Sequence, residues 1–194
     1  MGWDKKLDFD EVEQTLKKEI KGLVKEKEYC EFKKKPLGKR NALRLAYNSI
    51  LYVQLWNGSR ISEAIDAVLK FRQANASGKK ENRRNNREIY VATKKRRSKK
   101  TDRLVIIPTL IKVHYLDGLD NKTPKQIQNG VSLFALNHYG WNTHSLRYAF
   151  FSKGAKNGIP ANILAKMVRH SNVGTIAAYT RKEQADDTLK EFVP

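Results

Sequence analysis

A single cysteine in 194 residues, Cys30, excludes an internal disulfide and leaves no thiolate cluster for a structural metal. Cys30 then reads as a small hydrophobe, and stability has to come from packing. Long apolar runs are missing too. The longest, YNSILYVQLW, is interrupted by Asn48 and Gln54 and is too short to cross a bilayer, so no transmembrane helix and no membrane partner are expected. The first residues, MGWDKKLDFD, are charged where a signal peptide needs an apolar core, and Lys6 stands where a myristoylation motif needs Ser or Thr. A cytoplasmic location follows as the expectation, on the nucleoid or in a host cell if the chain is encoded by a virus or plasmid. There is no internal repeat, no Walker motif and no carboxylate cluster suited to two metal ions. Acid is scarce as well: 20 Asp and Glu stand against 39 Lys and Arg, a formal charge of +19. Something has to neutralise that charge, and nucleic acid is the default partner.

What is present is mostly helical patterning. Phe9, Val12, Leu16, Ile20 and Val24 recur at helical intervals across residues 9–30, which predicts an amphipathic surface helix. NALRLAYNSILYVQLWNG reads as a well-buried helix that stops at Asn57-Gly58, and Ser59 can cap the next one, RISEAIDAVLKF. Further helices are predicted from Pro124, from a Thr143 cap through HSLRYAFFSKGAKNG, and across ANILAKMVRH. A last one would hold Tyr179.

The composition changes between positions 72 and 103. Thirteen Lys or Arg stand there against Glu81, Glu88 and Asp102, a net +10. Within this segment EIYVAT and RLVIIP have β-type composition and flank a basic turn, so a β-hairpin closing near KKTD is expected. RQANASGKKENRRNNR before it reads as a loop. The fold class is therefore mainly α with a small antiparallel β-sheet, an α+β chain, organised as a helical N-terminal extension over 1–40 and one domain over 41–194.

Near the C-terminus, THSLRYAF is followed by Arg169-His170 and then by AYT, with His170 and Tyr179 nine residues apart. This pattern resembles the C-terminal motif of the tyrosine recombinases, the phage integrase and Xer family, in which His-x-x-Arg precedes a second His and a nucleophilic Tyr. The matching positions are His144, Arg147, His170 and Tyr179. NGSRISEA resembles the family's first-arginine box, Gly-x-Arg-x-Ser-Glu, with Arg60 in the arginine position. KKTDRLVIIP resembles the strand-turn-strand that carries the family's lysine, aligned on Lys100, although Lys94, Lys95 and Lys99 share the hairpin. Two departures stand out: the family's usual Gly before the second histidine is Arg169, and the interval from Arg60 to Lys100 is long. The family's separate N-terminal clamp domain would have room only in residues 1–40.

The resemblance implies a catalytic domain of that fold and a site-specific recombinase or integrase that cuts and rejoins double-stranded DNA through a 3′-phosphotyrosine at Tyr179. Attack by a phenol builds negative charge on the non-bridging phosphate oxygens, which Arg60 and Arg147 suit because a guanidinium keeps its charge and offers forked donors. His144 is the candidate base for the phenol, and Lys100 the candidate acid for the departing 5′-oxygen. No metal and no cofactor are needed, since the bond energy stays in the phosphotyrosine. Arg83, Arg84, Arg87, Lys94, Lys95, Arg96, Arg97, Lys99 and Arg169 are the expected DNA contacts. A homo-oligomer on DNA, dimer or tetramer, is the expected assembly. Two rivals remain open, a type IB topoisomerase and a non-catalytic DNA-binding protein that keeps the fold. His114 and His138 fall outside the motif and read as structural.

Overall fold

The computed structural model describes residues 7–76, 87–93 and 101–169. It is mainly helical with one two-stranded antiparallel sheet, as the patterning predicts. Helix α1 spans Phe9–Phe32 and buries Phe9, Val12, Leu16, Ile20 and Leu23, a stripe spaced three or four residues apart. Leu23 takes the place expected of Val24, which is only partly buried. Leu16 and Ile20 are fully buried, worth about 1.5–3 kcal/mol each. The Asp8 side chain caps α1 by accepting from the backbone N–H groups of Asp10 and Glu11 at 2.9 and 3.1 Å. Lys153 reaches back to Asp10 at 2.7 Å, joining this end of α1 to a later helix of the chain.

Helix α2, Lys39–Asn57, is the axle of the molecule. Every residue from Leu45 to Leu55 is buried, and α1, α3 (Ile61–Ala76) and α5 (Thr143–Lys156) all pack on it. A helix buried all round must satisfy its polar side chains internally. The Ser49 hydroxyl donates to Leu45 O at 2.8 Å, and the Tyr139 hydroxyl donates to Asn48 Oδ1 at 2.6 Å. Gly118, in a 3₁₀ segment over Val113–Leu119, lies so close to the backbone of Ala42 that a β-carbon would collide with it.

Strands β1, Glu88–Thr93, and β2, Thr101–Ile106, pair with Ile89 opposite Val105 and Val91 opposite Arg103. These four residues face inward, while Tyr90, Leu104 and Ile106 face out. Helix α4, Pro124–Phe134, is started by a capping box between Thr123 and Gln126 and runs on into a π-helical turn, Ala135–Tyr139. A ring stack follows, with His138 on Phe134 at 5.0 Å and Trp141 on Tyr139 at 4.3 Å, so His138 has a packing role. Helix α6, Ala161–Met167, packs Leu164 and Ala165 beside Phe151 and Val168. Among the described residues no helix is long and apolar enough to cross a membrane.

Candidate active site

The site begins where α2 ends. Gly58 closes the helix in the left-handed conformation, φ 52°, and lies so close to the ring of Phe150 that a β-carbon would overlap it. Only glycine meets both conditions without strain. The turn then delivers Arg60 directly before α3. Ser59 was expected to cap that helix, yet its hydroxyl is buried with no hydrogen-bond partner. The Arg60 backbone N–H donates instead to Glu63 Oε2 at 3.0 Å, the returning half of a capping box with Arg60 at the cap.

Glu63 is the hub. Its side chain is 4% exposed and accepts from Arg60 Nη1 at 3.1 Å and from Arg103 Nη1 at 2.7 Å. Arg103 projects inward from β2, and its Nη2 donates to the carbonyl of Asn57. The Asn57 side chain in turn pairs with both backbone groups of Ile106, at 2.8 Å each, so the end of α2 is stapled to the hairpin.

Helix α5 brings the second half of the site. It is capped by Asn142, whose side chain accepts from His144 N at 2.9 Å, one residue before the expected Thr143. Gln54 Nε2 donates to Thr143 O at 2.8 Å and to Ser59 O at 3.3 Å, tying the start of α5 to the Arg60 turn. His144 is exposed on the first turn, its ring edge-on to Tyr148 at 4.9 Å. Arg147 lies one turn further and is 1% exposed. Its Nη1 donates to Gly58 O at 2.7 Å and its Nη2 to Val168 O at 3.4 Å, so it clasps the Arg60 turn and the end of α6 together.

The electrostatics follow from this packing. Burial pushes the Arg147 guanidinium down to about 10, with the Arg103 charge acting next in the same direction. Burial also lowers Arg103, offset by Glu63, while Arg60 and Arg169 lower it further. Both stay cationic at neutral pH. Among the described residues, the charges of Arg60 and Glu63 thus reach both Arg103 and Arg147, and that of Arg169 reaches Arg103. Such a cluster gains from any anion that enters it.

The structure places the expected residues unevenly. Arg60 and Arg147 come together although Gly58 and Arg147 are 89 positions apart, and His144 lies on the helix that carries Arg147. Arg169 is exposed just after α6 with φ 51°, a left-handed position at the end of a helix that glycine adopts without strain. Arg87, expected on DNA, has its guanidinium turned to the carbonyls of Pro108 and Ile111, at 2.7 and 3.3 Å, and to the ring of Phe71. Lys100, His170 and Tyr179, with Arg83, Arg84, Lys94, Lys95, Arg96, Arg97 and Lys99, lie outside the described residues. Glu63 and Arg103 were not singled out from the sequence. The signals were an acid three residues after Arg60 and a charge at an inward position of a strand. Among the described residues no group of three or more His, Cys, Asp or Glu could hold a metal ion.

Three curated proteins align over nearly the whole chain. Putative integrase ORF241 of Acidianus two-tailed virus is 32% identical over 192 residues, covering 98% of this chain and 68% of that protein. Putative integrase V10 of Sputnik virophage is 31% identical over 211 residues, covering 96% of this chain and 88% of its own. An uncharacterized protein of Methanocaldococcus jannaschii, MJ0770, is 30% identical over 210 residues, covering 98% of this chain and 88% of its own. No family model matches the chain, and no solved structure matches it.

Proposed function

The chain belongs to the family of the viral proteins named putative integrase ORF241 and putative integrase V10, and from that premise we propose that it is a tyrosine recombinase acting on double-stranded DNA. One observation carries the reading. Arg147, singled out by its resemblance to a family motif, bonds to the Gly58 carbonyl of the turn that carries Arg60, singled out in the same way, and the Arg60 charge reaches it there.

The chemistry assigned to these residues balances without a nucleotide. The Tyr179 oxygen attacks phosphorus and gives up its proton to a base, a role that would fall to His144, on the first turn of α5. The phosphorus–5′-oxygen bond breaks, and the leaving oxygen takes a proton from Lys100. The 3′-phosphate stays on tyrosine, and a 5′-hydroxyl of another strand reverses the step. Arg60, with its side chain 44% exposed, would meet the phosphate, and Arg147, buried against the turn, would act as a fixed charge and as the clasp of the turn. Arg169, with Arg83, Arg84 and the hairpin cations Lys94, Lys95, Arg96, Arg97 and Lys99, would lie along the DNA phosphates.

Nicked DNA substrates that trap a covalent intermediate, run on a denaturing gel, test the reading. The wild-type chain should retain DNA covalently, and Arg60→Ala should slow this by about 10²- to 10³-fold. A substrate with sulfur at the bridging 5′ position should restore Lys100→Ala and leave Arg60→Ala impaired, because a thiolate leaves without a proton. Retention of DNA only by salt-sensitive, non-covalent binding would instead support a DNA-binding protein that keeps the fold.

A further inference from the structure

We propose that Arg103 is a positioning residue: acting through Glu63, it keeps the Arg60 guanidinium available to a phosphate instead of locked in an ion pair. The proposal rests on the DNA-cleaving reading above. Arg103 itself cannot reach DNA, because it is 3% exposed and both of its terminal nitrogens bond inside the protein. It occupies an inward position of β2, opposite Val91, where an aliphatic residue would satisfy the strand pattern. A guanidinium placed there is costly to desolvate and needs partners of good geometry.

Those partners are informative. Glu63 has two oxygens and three donors. Oε2 takes the Arg60 backbone N–H at 3.0 Å and Arg103 Nη1 at 2.7 Å, and Oε1 takes Arg60 Nη1 at 3.1 Å. Arg103 holds the shortest of the three. Arg60 holds Glu63 through one longer side-chain bond, from Nη1, with its side chain 44% exposed. Were Arg103 removed, the whole carboxylate charge would fall on Arg60 in a buried setting. Arginine and carboxylate then favour a two-bond fork, which would draw Arg60 inward and away from a phosphate.

Arg103 also bonds to the carbonyl of Asn57, whose side chain grips Ile106 on the same strand. Hairpin base and Arg60 turn are thereby held as one body.

The test uses the full chain and five variants: Arg103→Met, Arg103→Lys, Arg60→Ala, and Arg60→Ala combined with each of the two Arg103 changes. The rate of covalent adduct formation at saturating DNA, the DNA affinity and the nitrogen-15 NMR signal of the Arg60 guanidinium are measured at a temperature where melting curves show each variant folded. Arg103→Met should slow adduct formation about tenfold or more, with affinity changed by no more than about threefold. Added to Arg60→Ala it should cost nothing further, because the residue it acts through is gone. Rotation of the Arg60 guanidinium should slow in Arg103→Met. Arg103→Lys, which keeps a buried cation on Glu63, should lose less and show the same non-additivity, so the test survives if the methionine variant does not fold. Losses that multiply in the double variants, or an unchanged Arg60 signal, would overturn the proposal. A wild-type chain that never links to DNA would defeat the cleavage reading instead, and the NMR arm would then decide the role of Arg103 alone.

Discussion

Arg169 holds a backbone conformation that few side chains adopt. A left-handed L-residue costs about 1–2 kcal/mol, and glycine relieves this while giving back roughly 0.5–1 kcal/mol in unfolded-state entropy. Arg169→Gly should therefore stabilise the chain by about 0.5–1 kcal/mol in urea unfolding. The same change should weaken DNA binding and lower its log-log salt slope by about 1, since one phosphate contact is lost. A loss of stability would mean that Arg169 makes contacts exceeding the strain. The cation cluster around Glu63 gives a second residue-scale expectation. Sulfate should raise the melting temperature beyond sodium chloride of equal ionic strength, and Arg60→Ala should abolish the difference. Of this cluster, Arg60 and Arg147 were singled out because they stand in stretches that resemble a known family's motifs. Glu63 stands in the same box as Arg60 and Arg103 at an inward strand position, but their pairing is a tertiary contact between α3 and β2 that neither local pattern specifies.

Among the elements, the helix starts carry most of the local specification. Asp8 accepts two backbone N–H groups, and the bond from Glu11 is the largest cause holding its carboxyl below the ordinary value of 3.8. A depressed acid stabilises the fold fully above its unfolded pKa and loses that contribution as pH falls through the folded value. Asp8→Ala should therefore cost about 1 kcal/mol at pH 7, and the gap from wild type should shrink as the pH drops below about 4. Urea midpoints at the two pH values measure this. Helix ends were readable where one residue type is required, as at Asn57-Gly58, where only glycine accepts both the left-handed turn and Phe150. They were misread by one residue where several types compete: Ser59 was named for the cap at Arg60, and Thr143 for the cap at Asn142. The π turn after Phe134 follows from packing of the Tyr139 ring toward Asn48, which periodicity cannot signal.

For the whole molecule, a charge of +19 on 194 residues sets how it meets DNA. Affinity should fall steeply with salt, and neutralising Arg83 and Arg84 together should lower the log-log slope by up to ~2 without altering site preference. An unchanged slope would place both residues away from the phosphates. The fold class was legible because helical and strand periods separate cleanly along the chain, whereas the way α2 gathers the Arg60 turn, the hairpin base and α5 around one carboxylate is a property of the packed core. The central claim is that this cluster serves a transesterification by Tyr179, and the most direct measurement is the identity of the bond. Trapped protein–DNA adduct, digested with protease and nuclease and read by mass spectrometry, should yield a peptide carrying a nucleotide 3′-phosphate on Tyr179, and Tyr179→Phe should yield none. An adduct on another residue, a link through the 5′-phosphate, or wild-type levels of adduct from Tyr179→Phe would contradict the account.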